Sequence, residues 1–294
     1  MKLSDINIRD PFIFADKKNK TYYMYASSSA PLKKGFCVYT SKDLILWQGP
    51  EAVFEAPDDF WATDDFWAPE VHEYNGRYYL FGTFSAKDKT RNSQILVSDS
   101  LKGPFKLHSG YIAPENWFAL DATLYVDENK TPYAIFSHEW VQCADGEVCA
   151  VKLSDDLKKP AGKIKKLFSA SQTGWAKSPE WNPKTTPIYV VDAPFVFKSG
   201  GREVLLWSTW ADKKEDGYAV GAAYPQRGDV LCGNYAHKQI KLPNTDSGHP
   251  MVFEDFSGKT RICFHEKNSE CKKERCAIYY LKIDKGELFV YEND

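Results

Sequence analysis

The sequence repeats one pattern five times, and this repetition constrains the fold more than any other feature. Each unit opens with a small or polar residue, usually followed by proline, and continues as a short alternating apolar strand, a polar turn and a second apolar strand. The units are DPFIFADKKNKTYYMYAS from Asp10, APEVHEYNGRYYLFGTFS from Ala68, DATLYVDENKTPYAIFSH from Asp121, DAPFVFKSGGREVLLWST from Asp192 and GHPMVFEDFSGKTRICFH from Gly248. Two period-2 runs joined by turn residues predict a β-hairpin in every unit.

The spacing of the units predicts how the hairpins assemble. Neighbouring units begin roughly 55 to 70 residues apart, which leaves room for two more strands after each hairpin. Segments with strand character fill those intervals at 38–48, 95–107, 148–168, 218–225 and 277–291. Four strands per unit and almost no helical periodicity predict an all-β, five-bladed β-propeller that occupies 1–294 as a single domain. A β-sandwich would also contain many short strands, but it would not produce this repeat.

In a propeller, the first strand of each blade lines the central channel, so the five unit starts converge at one end of it. With the strand patterns in register, the equivalent positions are Asp10, Ala68, Asp121, Asp192 and His249. A single aspartate at a strand entrance commonly caps a turn. Three in one concave ring repel one another, so we interpret them as a functional cluster. Such repulsion separates the pKa values of neighbouring carboxyls, and glycoside hydrolysis requires that pairing of an acid with a base.

Aromatic residues are abundant, with 9 Trp, 17 Tyr and 18 Phe. This composition fits β-strands, and it also fits a site that stacks on the flat faces of a ligand. Phe66 and Trp67 come just before the second unit, and we predict both as substrate contacts. Hydrophobic packing between blades is the alternative for each. Trp67 is the better candidate because it directly precedes a unit opening.

Charge and cysteine content exclude several classes of protein. The net charge is −2, with acidic and basic residues interspersed, which predicts neither a nucleic-acid partner nor a membrane partner. The seven cysteines form no C-x₂-C pair, so we expect reduced thiols and no zinc site. The N-terminal MKLSDINIRDPF lacks the apolar segment of a signal peptide, which predicts a cytoplasmic protein, although a mature secreted form would look the same.

The motifs INIRDPFIF, FWAPEV, LDATLYVD and DAPFVF, in this order and spacing, resemble glycoside hydrolase family 43. The resemblance extends from Asp10 to the last blade, and the family's fold is the five-bladed propeller. It implies an inverting glycosidase in which Asp10 is the general base, Asp121 orients the acid and tunes its pKa, and Asp192 is the general acid. The family usually has glutamate at the acid position, so Asp192 is one methylene shorter. Glu180 and Glu215 are therefore alternative acids supplied by loops.

The resemblance also implies roles around the three acids. Glu70 would bind a substrate hydroxyl or support a loop. His249 would face the axial cavity, where it either holds a structural Ca²⁺ through water or forms a hydrogen bond near the substrate. No other cofactor is implied. Arg9 would pair with a carboxylate or anchor the first strand.

The sugar is the least determined part of the prediction. The DAP and GHPM forms resemble arabinofuranosidase-type relatives, so we expect an exo-acting α-L-arabinofuranosidase that releases terminal sugars from plant-type oligosaccharides or polysaccharide side chains. A β-xylosidase or β-galactofuranosidase of the same family is the alternative. A non-catalytic carbohydrate-binding propeller is the alternative from another class. The loops 54–67 and 169–187 are expected to shape the rim of the site.

Overall fold

The computed structural model describes residues 1–27, 34–182, 186–212, 217–270, 273–284 and 287–292. These residues form five antiparallel sheets of four strands, and in each sheet the strands are hydrogen-bonded in chain order. The first strands of the five sheets lie against one another around a common axis. The predicted all-β, five-bladed propeller is therefore confirmed.

The strands fall four to a blade, as the sequence repeat predicted. In the first three blades they are β1 (Arg9–Asp16), β2 (Thr21–Ser27), β3 (Gly35–Ser41), β4 (Trp47–Glu55), β5 (Asp64–Tyr74), β6 (Arg77–Ala86), β7 (Lys89–Ser98), β8 (Lys106–Leu107), β9 (Ala119–Val126), β10 (Pro132–His138), β11 (Glu147–Lys152) and β12 (Lys165–Ser169). In the last two blades they are β13 (Asp192–Ser199), β14 (Arg202–Trp210), β15 (Tyr218–Pro225), β16 (Tyr235–Ile240), β17 (Gly248–Glu254), β18 (Thr260–Glu266), β19 (Arg275–Asp284) and β20 (Glu287–Tyr291).

Helical structure among the described residues is limited to one short helix, α1 (Trp140–Cys143), and two 3₁₀ turns, at Leu3–Asp5 and Ala170–Thr173. Within the same residues, no helix has the length and apolar character needed to cross a bilayer.

A β-bulge interrupts the innermost strand at the entrance of every blade. In β1, Arg9 pairs with Ser27 and Phe12 with Tyr25, so two residues of β1 oppose one residue of β2. The same shift recurs in the other four blades. One bulge residue in each blade has a left-handed backbone: Asp10 (φ 50°), Ala68 (46°), Asp121 (54°), Ala193 (50°) and His249 (60°). Non-glycine residues adopt this conformation only when the surrounding structure enforces it, and such positions cluster at functional sites.

Hydrogen bonds between blades hold these bulges in place. The bulge N–H donates to a side chain at the end of the second strand of the preceding blade: Ala68 to Ser27 Oγ (2.6 Å), Asp121 to Thr83 Oγ1 (3.0 Å), His249 to Ser208 Oγ (2.8 Å) and Asp10 to His265 Nδ1 (3.3 Å). The fourth blade differs, because Ala193 N–H donates instead to the carboxylate of Asp121 (3.0 Å). A side chain of the preceding blade therefore fixes the position of each bulge.

Apolar side chains fill the wedges between neighbouring blades. Four buried clusters occupy successive wedges, and aromatic rings dominate the largest of them. Between blades one and two, for example, the rings of Phe36 and Phe84 pack edge-to-face with centroids 5.7 Å apart. Because blades diverge from the axis, large flat side chains suit the widening gap.

The ring of blades closes between blade one and blade five. Ile8 N–H donates to the carbonyl of Glu274 (3.2 Å), and the Arg9 guanidinium pairs with the Glu274 carboxylate (3.1 Å). Arg9 also donates to Asn268 Oδ1 (2.9 Å). Arg9 therefore does both things that the sequence left open: it pairs with a carboxylate, and it anchors the first strand.

Candidate active site

The three predicted aspartates converge at one end of the channel. Asp10 Oδ1 lies 3.1 Å from His249 Nδ1. Asp121 Oδ2 accepts the backbone N–H of Ala193, the residue that follows Asp192. The charges of Asp10 and Asp192 both raise the pKa of Asp121, as expected for carboxyls that share one site.

The register predicted for blade four is wrong by one residue. Ala193, not Asp192, has the left-handed backbone that is equivalent to Asp10, Asp121 and His249. Asp192 pairs with Ser208 and is equivalent to Arg9, which pairs with Ser27. Aligning the units on their prolines would have revealed this, because Pro11 and Pro194 both follow the left-handed residue directly. Asp192 still belongs to the cluster, but it stands one residue before the left-handed position of the bulge.

Two histidines hold Asp10, and they do so in different ways. The Arg9 guanidinium carries only donors, so the side-chain atom of Asn268 that it contacts is the oxygen Oδ1. His265 Nε2 lies 3.0 Å from the same oxygen and must therefore donate to it. His265 Nδ1 lies 3.3 Å from the backbone N of Asp10 and also 3.3 Å from its Oδ1. His265 therefore contacts both the backbone and the carboxylate of Asp10, whereas His249 pairs with the carboxylate.

Burial and charge divide the cluster into two kinds of carboxyl. Burial would raise the pKa of Asp10, but His249, together with His265, outweighs burial and holds that pKa well below the usual value. Burial would lower the pKa of His249, but Asp10 and Asp121 raise it to about 9. Burial together with the other carboxylates raises the pKa of both Asp121 and Asp192. These opposite shifts favour the ionised form of Asp10 and the protonated forms of Asp121 and Asp192, which is the division of roles that acid–base chemistry needs.

Tyr218 is a functional residue that the sequence analysis missed. Its hydroxyl donates to Asp192 Oδ2 (2.9 Å), and its ring stacks on His265 with centroids 5.7 Å apart. Gly248 makes room for that ring, because a Cβ at this position would lie 2.3 Å from Tyr218 Cε1. The tyrosine stands at the start of β15, where nothing in the local pattern distinguishes it from a packing residue.

Of the two predicted aromatic contacts, only Trp67 is placed to meet a ligand. Trp67 is 39% exposed at the mouth of the channel. The ring of Phe66 is buried between blades one and two against Phe36 and Phe84, which favours the alternative of hydrophobic packing, and its contact with substrate stays a prediction. Successive strand residues face opposite sides, so one of two neighbours enters the core when the other reaches the surface.

Trp67 rests on a charged network that sequence reasoning also missed. The Arg91 guanidinium lies 4.4 Å from the centre of the Trp67 ring. Arg91 is held by Asp65 (3.0 Å) and by the buried carboxylate of Glu139 (2.6 Å). Burial raises the pKa of Glu139, and the charge of Asp192 adds to that effect. Glu139 therefore lies near the acid but is engaged by Arg91.

Glu70 lies close enough to the site for its charge to contribute to the raised pKa of His249. It is buried, and its carboxylate lies 3.0 Å from His72 Nε2. This pairing indicates internal support and does not favour the predicted contact with a substrate hydroxyl. A cavity of about 1100 Å³ opens elsewhere, where β9 and β13 end, and Glu128 and Arg202 are among its lining residues. We place the site at the aspartates because the charged groups converge there.

The axial cavity next to His249 is where the sequence predicts a calcium ion held through water. Within the described part of the chain, no group of three or more His, Cys, Asp and Glu side chains could hold a metal ion. His249 Nδ1 is already paired with Asp10. The calcium ion stays a prediction, and we derive no chemical step through it.

The alternative acids remain predictions. Glu180 is exposed in the connection between blades three and four. Glu215 lies outside the described residues. Asp192 is the candidate acid that the structure joins to the other two aspartates.

Comparisons with known proteins show what the whole chain is similar to. The family model described as Glycosyl hydrolases family 43 matches residues 4–279. The chain is similar to the solved structure of an endo-arabinase from Bacteroides thetaiotaomicron VPI-5482, with 38% identity, a TM-score of 0.86 and 98% of each chain covered. It shares its fold with an alpha-L-arabinofuranosidase from Lactobacillus brevis, with 17% identity, a TM-score of 0.72 and coverage of 97% and 93%. A search of the curated proteins found no match.

Proposed function

The chain belongs to glycosyl hydrolase family 43 and is a glycoside hydrolase, and from this premise we propose that it hydrolyses α-L-arabinofuranosidic bonds with inversion of configuration. The likeness to the endo-arabinase, at 38% identity over nearly the whole chain, supports this choice of sugar. That likeness also makes cleavage within a chain a candidate beside the release of terminal sugars expected from the sequence.

The observation that carries the proposal is the convergence of Asp10, Asp121 and Asp192 in one site, where Asp10 pairs with His249, Asp121 accepts the N–H of Ala193 and Asp192 accepts the Tyr218 hydroxyl. Asp10 accepts a proton from a water molecule, whose oxygen attacks the anomeric carbon. Asp192 gives its proton to the glycosidic oxygen as the bond to that oxygen breaks. The transition state resembles an oxocarbenium ion, and inversion requires the two carboxyls to lie roughly 6.5–9.5 Å apart.

Asp121 and Tyr218 prepare Asp192 for this role. Asp121 holds the backbone next to the acid through Ala193, while burial and the charge of Asp10 favour the protonated form of Asp192. The Tyr218 hydroxyl fixes the direction of the Asp192 carboxyl. Because aspartate is shorter than the usual glutamate, we infer that this fixed geometry supplies the reach that the missing methylene would otherwise give.

The proposal is tested with 4-nitrophenyl α-L-arabinofuranoside, β-D-xyloside and β-D-galactofuranoside, together with linear arabino-oligosaccharides. Asp10→Asn is expected to lower kcat about 10²–10⁴-fold on every substrate, since it removes the base. Asp192→Asn is expected to lose far more activity on oligosaccharides than on the aryl glycoside, because nitrophenolate leaves without a proton. Asp99→Asn, which removes an exposed partner of Arg77 in blade two, is the matched control and should retain activity.

Each outcome of this test has a definite meaning. Turnover of only the xyloside or the galactofuranoside would refute the choice of sugar. Full activity of Asp192→Asn on oligosaccharides would move the acid to Glu180 or Glu215. Sugar binding without turnover of any substrate would favour the non-catalytic carbohydrate-binding propeller.

A further inference from the structure

A row of aromatic side chains extends from the acid to the rim of the site. Tyr218, which donates to Asp192, has its ring centroid 5.9 Å from that of Trp210. The next ring, Trp181, lies 6.1 Å from Trp210. Trp140 follows, 5.5 Å from Trp181. The contacts are therefore continuous from Asp192 outwards.

The three tryptophans come from separate parts of the chain. Trp140 begins α1, Trp210 ends β14, and Trp181 lies in the connection between blades three and four. The connection is tied to blade four, because Lys177 N–H donates to the Trp210 carbonyl (2.8 Å). Three large rings from three segments meet at the rim because the blades bring them there.

Trp181 is unusual in its exposure. Half of it is accessible to solvent, although it touches two other indole rings. Trp140 and Trp210 on either side of it are half-buried. An exposed ring that continues a set of partly accessible rings marks a binding surface more often than a folding contact. Flat rings with a large apolar area suit the C–H faces of sugars.

The position of the aromatic row relative to Asp192 indicates which part of the substrate the row contacts. The acid protonates the oxygen of the leaving group, so the leaving-group sugars must extend on the Asp192 side of the scissile bond. Tyr218 and Trp210 begin on that same side. We propose that Trp140, Trp181 and Trp210 form a wall that binds the leaving-group sugars of a pentose chain. This inference rests on the proposed function and adds to it a substrate class, a chain with several sugars beyond the cleaved bond.

The wall is tested by varying the length of the leaving group. Wild type and Trp181→Ala are compared on 4-nitrophenyl α-L-arabinofuranoside and on linear arabino-oligosaccharides of two to six units. We expect the ratio of kcat/KM for the longest oligosaccharide to kcat/KM for the aryl glycoside to fall about tenfold in Trp181→Ala. Trp181→Phe should retain most of the ratio. Phe289→Ala, which removes a 43% exposed ring from the outer strand of blade five, is the matched control and should leave the ratio unchanged.

The outcomes separate the wall from the proposed function. If wild type cleaves the oligosaccharides and Trp181→Ala keeps the wild-type ratio, the wall is refuted and the function stands. Equal losses on both kinds of substrate, with a lowered Tm, would show that Trp181 is structural and would also refute the wall. If wild type cleaves no arabino-oligosaccharide, the proposed function fails, and the assignment of the wall to that chain fails with it.

Discussion

Substitution of Gly248 by alanine is expected to disable the acid without touching a carboxyl. A Cβ at position 248 would lie 2.3 Å from Cε1 and 2.5 Å from Cδ1 of Tyr218. The ring has little room to retreat, because it is buried, stacks on His265 and lies against Trp210. The new methyl group must therefore displace the tyrosine whose hydroxyl holds Asp192.

The size of the displacement follows from ordinary contact distances. Carbon atoms in van der Waals contact are at least 3.4 Å apart, so the ring must move by about 1 Å. A hydrogen bond of 2.9 Å between Tyr218 and Asp192 cannot survive a lengthening of that size. Misplacing a catalytic group by about 1 Å costs about 100-fold in rate, and overpacking a core costs about 1–3 kcal/mol of unfolding free energy.

The assay measures kcat on a linear arabino-oligosaccharide, whose leaving group needs the proton of the acid, and unfolding in urea for four variants. Gly221→Ala is the matched control: its Cβ would lie 2.6 Å from Trp175 and Trp207 in the interior of blade four, so it should lower stability and retain kcat. Gly248→Ala and Tyr218→Phe act through the same hydroxyl, so the double variant should lose no more kcat than the worse single variant. The reasoning is refuted if Gly248→Ala retains wild-type kcat, or if the two losses multiply.

Two further predictions concern stability. The His249 pKa is raised to about 9, so the pairing of His249 with Asp10 stabilises the fold fully below about pH 6.5, and this stabilisation is lost as pH rises through 9. Between pH 7 and 9.5, Tm should therefore fall less in His249→Gln than in wild type. Parallel curves of Tm against pH for the two proteins would contradict this. Arg9→Met breaks the pair with buried Glu274 and should lower the free energy of unfolding, measured in urea, by about 1–3 kcal/mol. The partial exposure of Arg9 keeps this loss below that expected for a fully buried pair. Lys17→Met, which breaks an exposed pair with Glu254 across the same two blades, should cost less than about 1 kcal/mol, and equal losses would refute the closing role of Arg9.

Local patterns were sufficient to predict the fold and most of the acid cluster. Hairpins show as alternating residues around a turn, and five spaced copies allow few architectures besides a propeller. Asp10 and Asp121 were placed correctly because each stands at a repeated position before a readable strand. Tyr218, Arg91 and Glu139 left no such signal, since each acquires its role from a contact with a residue 26 to 48 positions away.

Strand period and turn chemistry are properties of neighbouring residues, so the five hairpins, their blades and the end of the channel where the carboxyls meet can be read from the chain alone. Contacts between blades are needed to place Ala193 rather than Asp192 at the left-handed position, to expose Trp67 while burying Phe66, and to pair Asp10 with His249. This dependence arises because a one-residue bulge changes which face a side chain takes. The packing of one blade on the next then sets the distances on which every pKa depends.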